Sequence, residues 1–220
     1  MTEADSKPQH FRVAVIPVTP FQQNCSLVFH AATKVGAVVD PGGDIEVIRD
    51  AIRKTGLSIN KIILTHGHID HAGGAAELKE VLGVPVIGPH RNDKFLLDGL
   101  PQSGVRFGML TARVIEPDQW MADGDEVEIG GHAFRAVEAP GHSPGSIVYF
   151  CKDVNFALMG DVLFRGSIGR TDIPGGDSQQ LLQSIREKVL PLGDEVVFLP
   201  GHGEASRIGD ERAGNPFLQG

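Results

Sequence analysis

Cysteine is nearly missing from this chain: its 220 residues include two, Cys25 and Cys151. A secreted domain stapled by disulfides would carry more, so reduced thiols in a cytosol are expected. Both cysteines lie in apolar, strand-like runs, which points to inert burial rather than to a reactive thiol. Basic charge is short as well. Lys and Arg number 20 against 28 Asp and Glu, a net charge of −8, and this disfavours nucleic acid and anionic membrane as partners. No stretch approaches the ~20 apolar residues needed to span a bilayer. The N-terminal "MTEADSKPQH" is charged and has no apolar centre, so it does not read as a signal peptide. No low-complexity linker divides the chain. The expectation is a soluble cytoplasmic protein, one domain over residues 1–220 with residues 1–10 disordered. Its 41% apolar content is enough for a substantial core.

Short apolar runs come first and read as strands: Phe11–Pro17, Cys25–His30 and Val35–Asp40, rich in Val, Ile and Phe and bounded by Pro, Gly or Asn. "DPGGD" turns the chain, and Asp44 is placed to cap a helix that runs through Lys54 and stops at Gly56. Lys61–Thr65 and Pro85–Gly88 are further short strands around a helix over Ala72–Leu82. Pro89 to Met121 is the least regular third and reads as a surface excursion, with a helical segment at Phe95–Leu97. Strand signals resume at Glu126–Ile129, His132–Glu138, Ser146–Cys151 and Asn155–Met159. Gln179–Val189 is an amphipathic helix with Asp177 as its cap, Glu195–Leu199 is a last strand, and the tail "GDERAGNPFLQG" reads as irregular. The pattern is β-rich then helical, twice over. Two packed sheets with helices outside bury both apolar sets, an α/β (α+β) architecture. Trp120 and Tyr149 belong to the core.

The chemistry is concentrated in "ILTHGHIDHAGG", Ile63 to Gly74. His66 and His68 are two apart in extended chain and can point the same way. Asp70 and His71 lie at the turn into a helix and can aim elsewhere. Four such side chains split into two directions suit two adjacent cations better than one. A helix-capping loop, with Asp70 as cap, would explain one residue of the four. Two cations need more ligands, and the chain has them in one repeated context. His142 in "APGHSPG", Asp161 in "LMGDVLF" and His202 in "LPGHGEA" each end an apolar strand beside glycine. Ligands at strand ends can meet along one sheet edge. His10, His30, His90 and His132 lack that setting and read as structural or exposed.

"THGHIDH", "PGHSPG", "GD" and "PGHG", in this order, resemble the metallo-β-lactamase fold superfamily. "VTPFQQNC", "VVDPGGD", "GDVLFRGSIGRTDIPGGD", "LPLGD" and "NPFLQ" look like its single-domain bacterial glyoxalase II-like hydrolases, a match from about Phe11 to the end. The resemblance implies a four-layer αββα sandwich with a binuclear site at one edge. It assigns His66, His68 and His142 to the first metal and Asp70, His71 and His202 to the second, with Asp161 bridging. It also implies that Arg170, in "GRTD", contacts the glutathione part of a thioester, with Arg165 a more remote contact. The tyrosine expected two residues beyond Arg170 is replaced here by Asp172, and the C-terminal helical domain that adds glutathione contacts is missing. An ion pair between Arg170 and Asp172 is the alternative.

Two divalent ions, zinc first and iron or manganese as alternatives, can share a hydroxide and polarise an acyl oxygen as its charge develops. The expected function is therefore a metal-dependent thioesterase that cleaves S-D-lactoylglutathione or a related glutathione conjugate. Asp161 would act as the bridging carboxylate, and Asp70 would orient the nucleophile while ligating. Asp40 is the expected partner for the second N–H of a ligating histidine. Rival readings are a mononuclear iron persulfide dioxygenase, which "GRTD" and "NP" also resemble, a metallohydrolase of another ester, lactone or lactam, and a metal-binding module without turnover.

Overall fold

The computed structural model describes residues 10–219. Residues 1–9 of the segment expected to be disordered lie outside the described residues. His10, its last residue, does not fit that expectation: its ring stacks on His30 at 4.8 Å.

The first half forms a sheet of five strands in spatial order β1 (Phe11–Val18), β2 (Gln23–His30), β3 (Val35–Val39), β4 (Ser58–Ile63) and β5 (Val86–Ile87). Hairpin neighbours β1–β2–β3 run antiparallel. The pairs β3–β4 and β4–β5 are parallel, because each connection passes through helix: α1 (Ile45–Thr55) in one, α2 (Ile69–Ala72) and α3 (Ala75–Leu82) in the other. Helices α4 (Lys94–Asp98) and α5 (Leu100–Phe107) then lead to the second half. There β6 (Glu126–Ile129), β7 (His132–Glu138), β8 (Ile147–Cys151) and β9 (Phe156–Gly160) form a meander. A small hairpin, β10 (Leu163–Phe164) and β11 (Ser167–Ile168), precedes α6 (Ser178–Ser184). Strands β12 (Val197–Pro200) and β13 (Ser206–Arg207) complete a mixed six-stranded sheet, and α7 (Ile208–Gly214) closes the fold.

Strand alternation sorts the apolar side chains into three cores. On β4, Ile62 faces α1 and α3, whereas Ile63 faces the other sheet. On β8, Ile147, Tyr149 and Cys151 enter the space between the sheets, while Val148 and Phe150 turn to Leu181 of α6 and to Ile185 just beyond it. A core between the sheets plus one under each helical face makes four layers, as the pattern predicts. Cys25 and Cys151 are buried thiols, and Tyr149 is fully buried with its hydroxyl donating to the Leu64 carbonyl at 3.0 Å. Among the described residues no helix is long and apolar enough to cross a membrane.

Several local expectations are corrected. The excursion 89–121 holds two helices, which put Leu97 and Leu100 into the first core. Pro101, Gly99 and Gly104 obscured their periodicity, although Pro is tolerated in a first turn. The irregular tail contains α7, whose Ile208 is fully buried. The helix expected over 72–82 is split at Gly73–Gly74 into α2 and α3. Asp44 precedes α1 but does not cap it: it adopts φ 50°, and its carboxylate instead accepts from Thr19 N–H at 2.6 Å. Beyond α6 the chain continues as a wide turn over Ile185–Val189 that keeps Ile185 and Val189 buried. Trp120 is only partly buried, its ring under the Arg91 guanidinium at 5.7 Å. Of the two readings offered for His132, structural or exposed, burial selects the structural one.

Candidate metal centre

Strand ends on one edge of the two sheets deliver four of the seven expected ligands, together with Asp40. His66 follows β4, Asp40 follows β3, His142 lies in the loop after β7, Asp161 follows β9 and His202 follows β12. The sheets are joined at this edge, where Ile147 N–H donates to the Thr65 carbonyl at 2.9 Å and Asn24 N–H to the Gly201 carbonyl at 2.7 Å. His68 stands at the N-terminus of α2, and Asp70 and His71 lie on it. Gly201 is small for a reason: a Cβ there would fall 2.2 Å from Asp161 Oδ1 and 2.4 Å from the His71 ring. The glycine of "PGHG" thus keeps the centre of the site open.

Outer hydrogen bonds decide which nitrogen of each ring faces inward. His71 Nδ1 donates to Asp40 Oδ2 at 2.9 Å. His66 Nδ1 lies 3.1 Å from Thr65 Oγ1, which itself donates to the same Asp40 oxygen at 2.6 Å. His142 Nδ1 donates to the Arg170 carbonyl at 2.8 Å, and His202 Nδ1 to the Phe21 carbonyl at 3.2 Å. The Nε2 atoms of these four rings therefore turn inward, stripped of protons wherever the ring is neutral. His68 presents Nδ1, 2.9 Å from His142 Nε2.

The inward atoms form three overlapping groups, each with ligand atoms within 4.8 Å of one another: His66, His68 and His142; His66, His71 and Asp161; Asp70, His71 and His202. Asp161 lies between them. Its Oδ1 faces His71 Nε2 at 3.4 Å, and its Oδ2 stands 3.6 Å from both His142 Nε2 and His202 Nε2. His202 Nε2 also reaches Asp70 Oδ2 at 3.1 Å. His66 Nε2, His71 Nε2 and Asp161 Oδ1 are buried polar atoms with no hydrogen-bond partner among the described residues. Leaving such atoms unpaired costs about 1–3 kcal/mol apiece. Three of them converging on one point fit a cation, because imidazole nitrogens and carboxylate oxygens are the donors that divalent transition metals take.

Electrostatics divide the site. Burial, reinforced by the neighbouring His71 and His68, holds His66 well below the ordinary histidine pKa. Burial and the adjacent His142 bring His68 down to about 3, and burial lowers His142 as well. His71 goes the other way, since the charges of Asp161 and Asp70 outweigh its burial. His202 is also raised, its bond to Asp70 overcoming desolvation. Burial alone would raise Asp70 and Asp161, but the charge on His71 and the bonds from the imidazoles hold both below the usual carboxylate range.

The model of the "Metallo-beta-lactamase superfamily" matches residues 18–202. This chain belongs to the metallo-β-lactamase superfamily. Within the superfamily it is 43% identical over 207 residues to a Haemophilus influenzae protein named hydroxyacylglutathione hydrolase GloC, spanning 94% of this chain and 97% of that one. Its fold superposes on the BLEG-1 B3 metallo-β-lactamase with a TM-score of 0.87 at 34% identity, covering 95% of this chain and 100% of the other. It superposes on TTHA1623 in a di-iron-bound form with a TM-score of 0.81 at 32% identity, covering 93% and 100%.

All seven expected ligands come together, and Asp40 stands against His71 as expected. Arg170 and Arg165 do not reach inward with their charges. The Arg170 guanidinium is held by Asp172 through two bonds of 2.8 and 2.9 Å, and Arg165 pairs with Glu204. Arg170 touches the site instead through its carbonyl on His142. Sequence reading missed Thr65, which relays Asp40 to His66, and the signal was its place directly before the first histidine. Replacing Asp40 with alanine is expected to weaken metal binding about 10–100-fold, read by chelator competition. Metal content and affinity unchanged from wild type would remove Asp40 from that role.

Proposed function

We propose that this chain is a binuclear metal-dependent thioesterase of the glyoxalase II type, hydrolysing S-D-lactoylglutathione or a related hydroxyacylglutathione. The observation that carries it is the convergence of His66 Nε2, His71 Nε2 and Asp161 Oδ1, buried and unpartnered, among the further donors Asp70, His68, His142 and His202. The relative named hydroxyacylglutathione hydrolase supports the substrate class. In this reading His66, His68 and His142 hold one ion, Asp70, His71 and His202 the other, and Asp161 lies between. Zinc suits the donors, and the di-iron form of TTHA1623 keeps iron in view, with manganese a further option. Two divalent ions held there acidify water toward neutral pH and polarise an acyl oxygen.

The protein's own groups do the positioning. Asp70, kept ionised and tied to His202, can accept a hydrogen bond from the attacking water and aim its lone pair at the acyl carbon. Asp40 and Thr65 fix two ring orientations, so the donors need no rearrangement when charge develops. A thiolate leaving group needs no strong general acid, which agrees with a site whose carboxyls are ionised. Arg170 and Arg165 are proposed to contact the glutathione carboxylates. Both sit in exposed ion pairs, which are weak in water and exchange readily for a ligand carboxylate. The proposal takes residues 1–220 as one catalytic domain acting in the cytoplasm on a small molecule.

The test is metal analysis of the purified protein coupled to rates on three substrates. Metal-dependent cleavage of S-D-lactoylglutathione without oxygen uptake is the expected result. Oxygen consumption on glutathione persulfide with one iron per chain would favour a dioxygenase. Preferential opening of a β-lactam would favour the activity named for BLEG-1. A fully metallated protein that turns over none of these would fit a binding module.

A further inference from the structure

The loop that carries His66 and His68 and the loop that carries His142 come from different sheets. Their imidazole nitrogens can meet only if the two backbones are held at one separation. Asp93 lies between them. It is 0% exposed and belongs to the turn before α4, in the third of the chain whose sequence looked irregular. Its Oδ2 accepts from Gly67 N–H at 2.8 Å, between His66 and His68, and from the Ser143 hydroxyl at 2.8 Å, next to His142. Its Oδ1 accepts from Gly145 N–H at 2.6 Å. None of these bonds goes to an imidazole, yet together they span both loops.

The glycines of the two motifs carry the same imprint. A Cβ at Gly145 would meet Asp93 Cγ at 2.7 Å, and one at Gly67 would meet Asp93 Cβ at 3.3 Å and Leu96 Cβ at 2.9 Å. "HGH" and "HSPG" are therefore built to let one side chain approach from behind. A carboxylate is costly to bury unless its lone pairs are filled, and here charge-assisted bonds from two loops fill them. A residue that only occupied space would need neither the charge nor the two glycines.

We propose that Asp93 is a positioning residue for the first metal group: its carboxylate clamps the His66–His68 loop to the His142 loop and sets the spacing of their three nitrogens. The inference rests on the binuclear reading given above.

Zinc titration of the metal-free protein against a chromophoric chelator tests it. In the wild type two constants are expected. Asp93→Ala should lower one of them about 10–100-fold and leave the other unchanged. In a His202→Ala background, which breaks the second group, the remaining constant should fall by the same factor. Asp93→Asn can keep the oxygen that accepts from Gly67 and Ser143 but turns an amide N–H against the Gly145 N–H, so it should fall between. Ser143→Ala removes one bond of the clamp and should shift the same constant in the same direction, which preserves the test if Asp93→Ala does not fold. Equal weakening of both constants, or a lower melting temperature with both constants intact, overturns the proposal, because Asp93 would then merely staple loops. A wild type that takes a single ion breaks the binuclear reading instead, while the His202→Ala background still reads the first group. One that takes none overturns both.

Discussion

Asp161→Ala is expected to lose both metal ions and to cut thioester hydrolysis by about 10²–10³-fold or more. Its carboxylate is the one whose two oxygens face both sides of the site, Oδ1 toward His71 and Oδ2 toward His142 and His202. Without it the inward nitrogens of the two groups confront each other with no negative charge between them, and two cations in the same space would repel unscreened. His71 would also lose the charge that favours its protonated form, the largest such influence on it. Metal per chain, rate and a thermal melt should be measured on the same sample. Retained folding with metal and rate both gone supports the shared site. Full metal content at wild-type rate would show that Asp161 faces the site without serving it. Asp161→Asn refines the result, since the amide keeps the shape and one acceptor but drops the charge. It should fall between the wild type and Asp161→Ala in metal content.

His66, His142, Asp161 and His202 were legible because each follows an apolar strand with a polar residue beside glycine, a local and expensive choice that solvation alone does not explain, and His68, Asp70 and His71 by their crowding just after the first of them. His142, Asp161 and His202 repeat that choice at separations that only the fold brings together. The sheets were legible for a similar reason: β3 and β8 are continuous apolar runs, as expected of strands covered on both faces. What stayed hidden was pairing at long range. Asp93 looks like any loop aspartate until β5 and the turn after it place it behind two glycines. Asp44 had the sequence of a helix cap, but a Thr19 N–H from the hairpin turn captured its carboxylate. Helix α7 was hidden in a tail broken by Gly209, Gly214 and Pro216; tertiary burial of Ile208 and Glu211, not local propensity, holds it. At Arg170 the motif pointed to the guanidinium, which pairs with Asp172; the carbonyl bond to His142 was not legible, because any residue could supply it.

Acidification is expected to empty the site in two stages, the second group first. His66, His68 and His142 are already below the ordinary histidine range, with His68 at about 3, so metal binding there displaces no proton near neutrality. His71 and His202 are raised, and each must give up a proton before its Nε2 can bind. The carboxylates do not compete, because Asp70 and Asp161 stay ionised. Affinity of the second group should therefore fall as pH drops through the raised histidine values, by about tenfold per pH unit for each proton taken up. The first group should hold to lower pH than the second, until Asp93, whose burial pushes its carboxyl up to about 6, takes up a proton and loosens the clamp. The same signs govern the metal-free fold. Lowered His66 and His68 contribute stability that is complete above 6.5 and is lost as pH falls, toward about 3 for His68. Raised His71 contributes stability that is present below 6.5 and lost as pH rises through its folded value. Two measurements separate the groups. Zinc retained after dialysis across a pH series should step from two ions to one before reaching zero. In weakly buffered solution near pH 7, the ion entering the first group should release no proton, and the ion entering the second should release a proton from His71, with His202 adding to the release as pH falls. Loss of both ions at one pH, or equal proton release by each, would mean that the charges around Asp161 are shared evenly by the two groups and that the division of the site by its histidines is wrong.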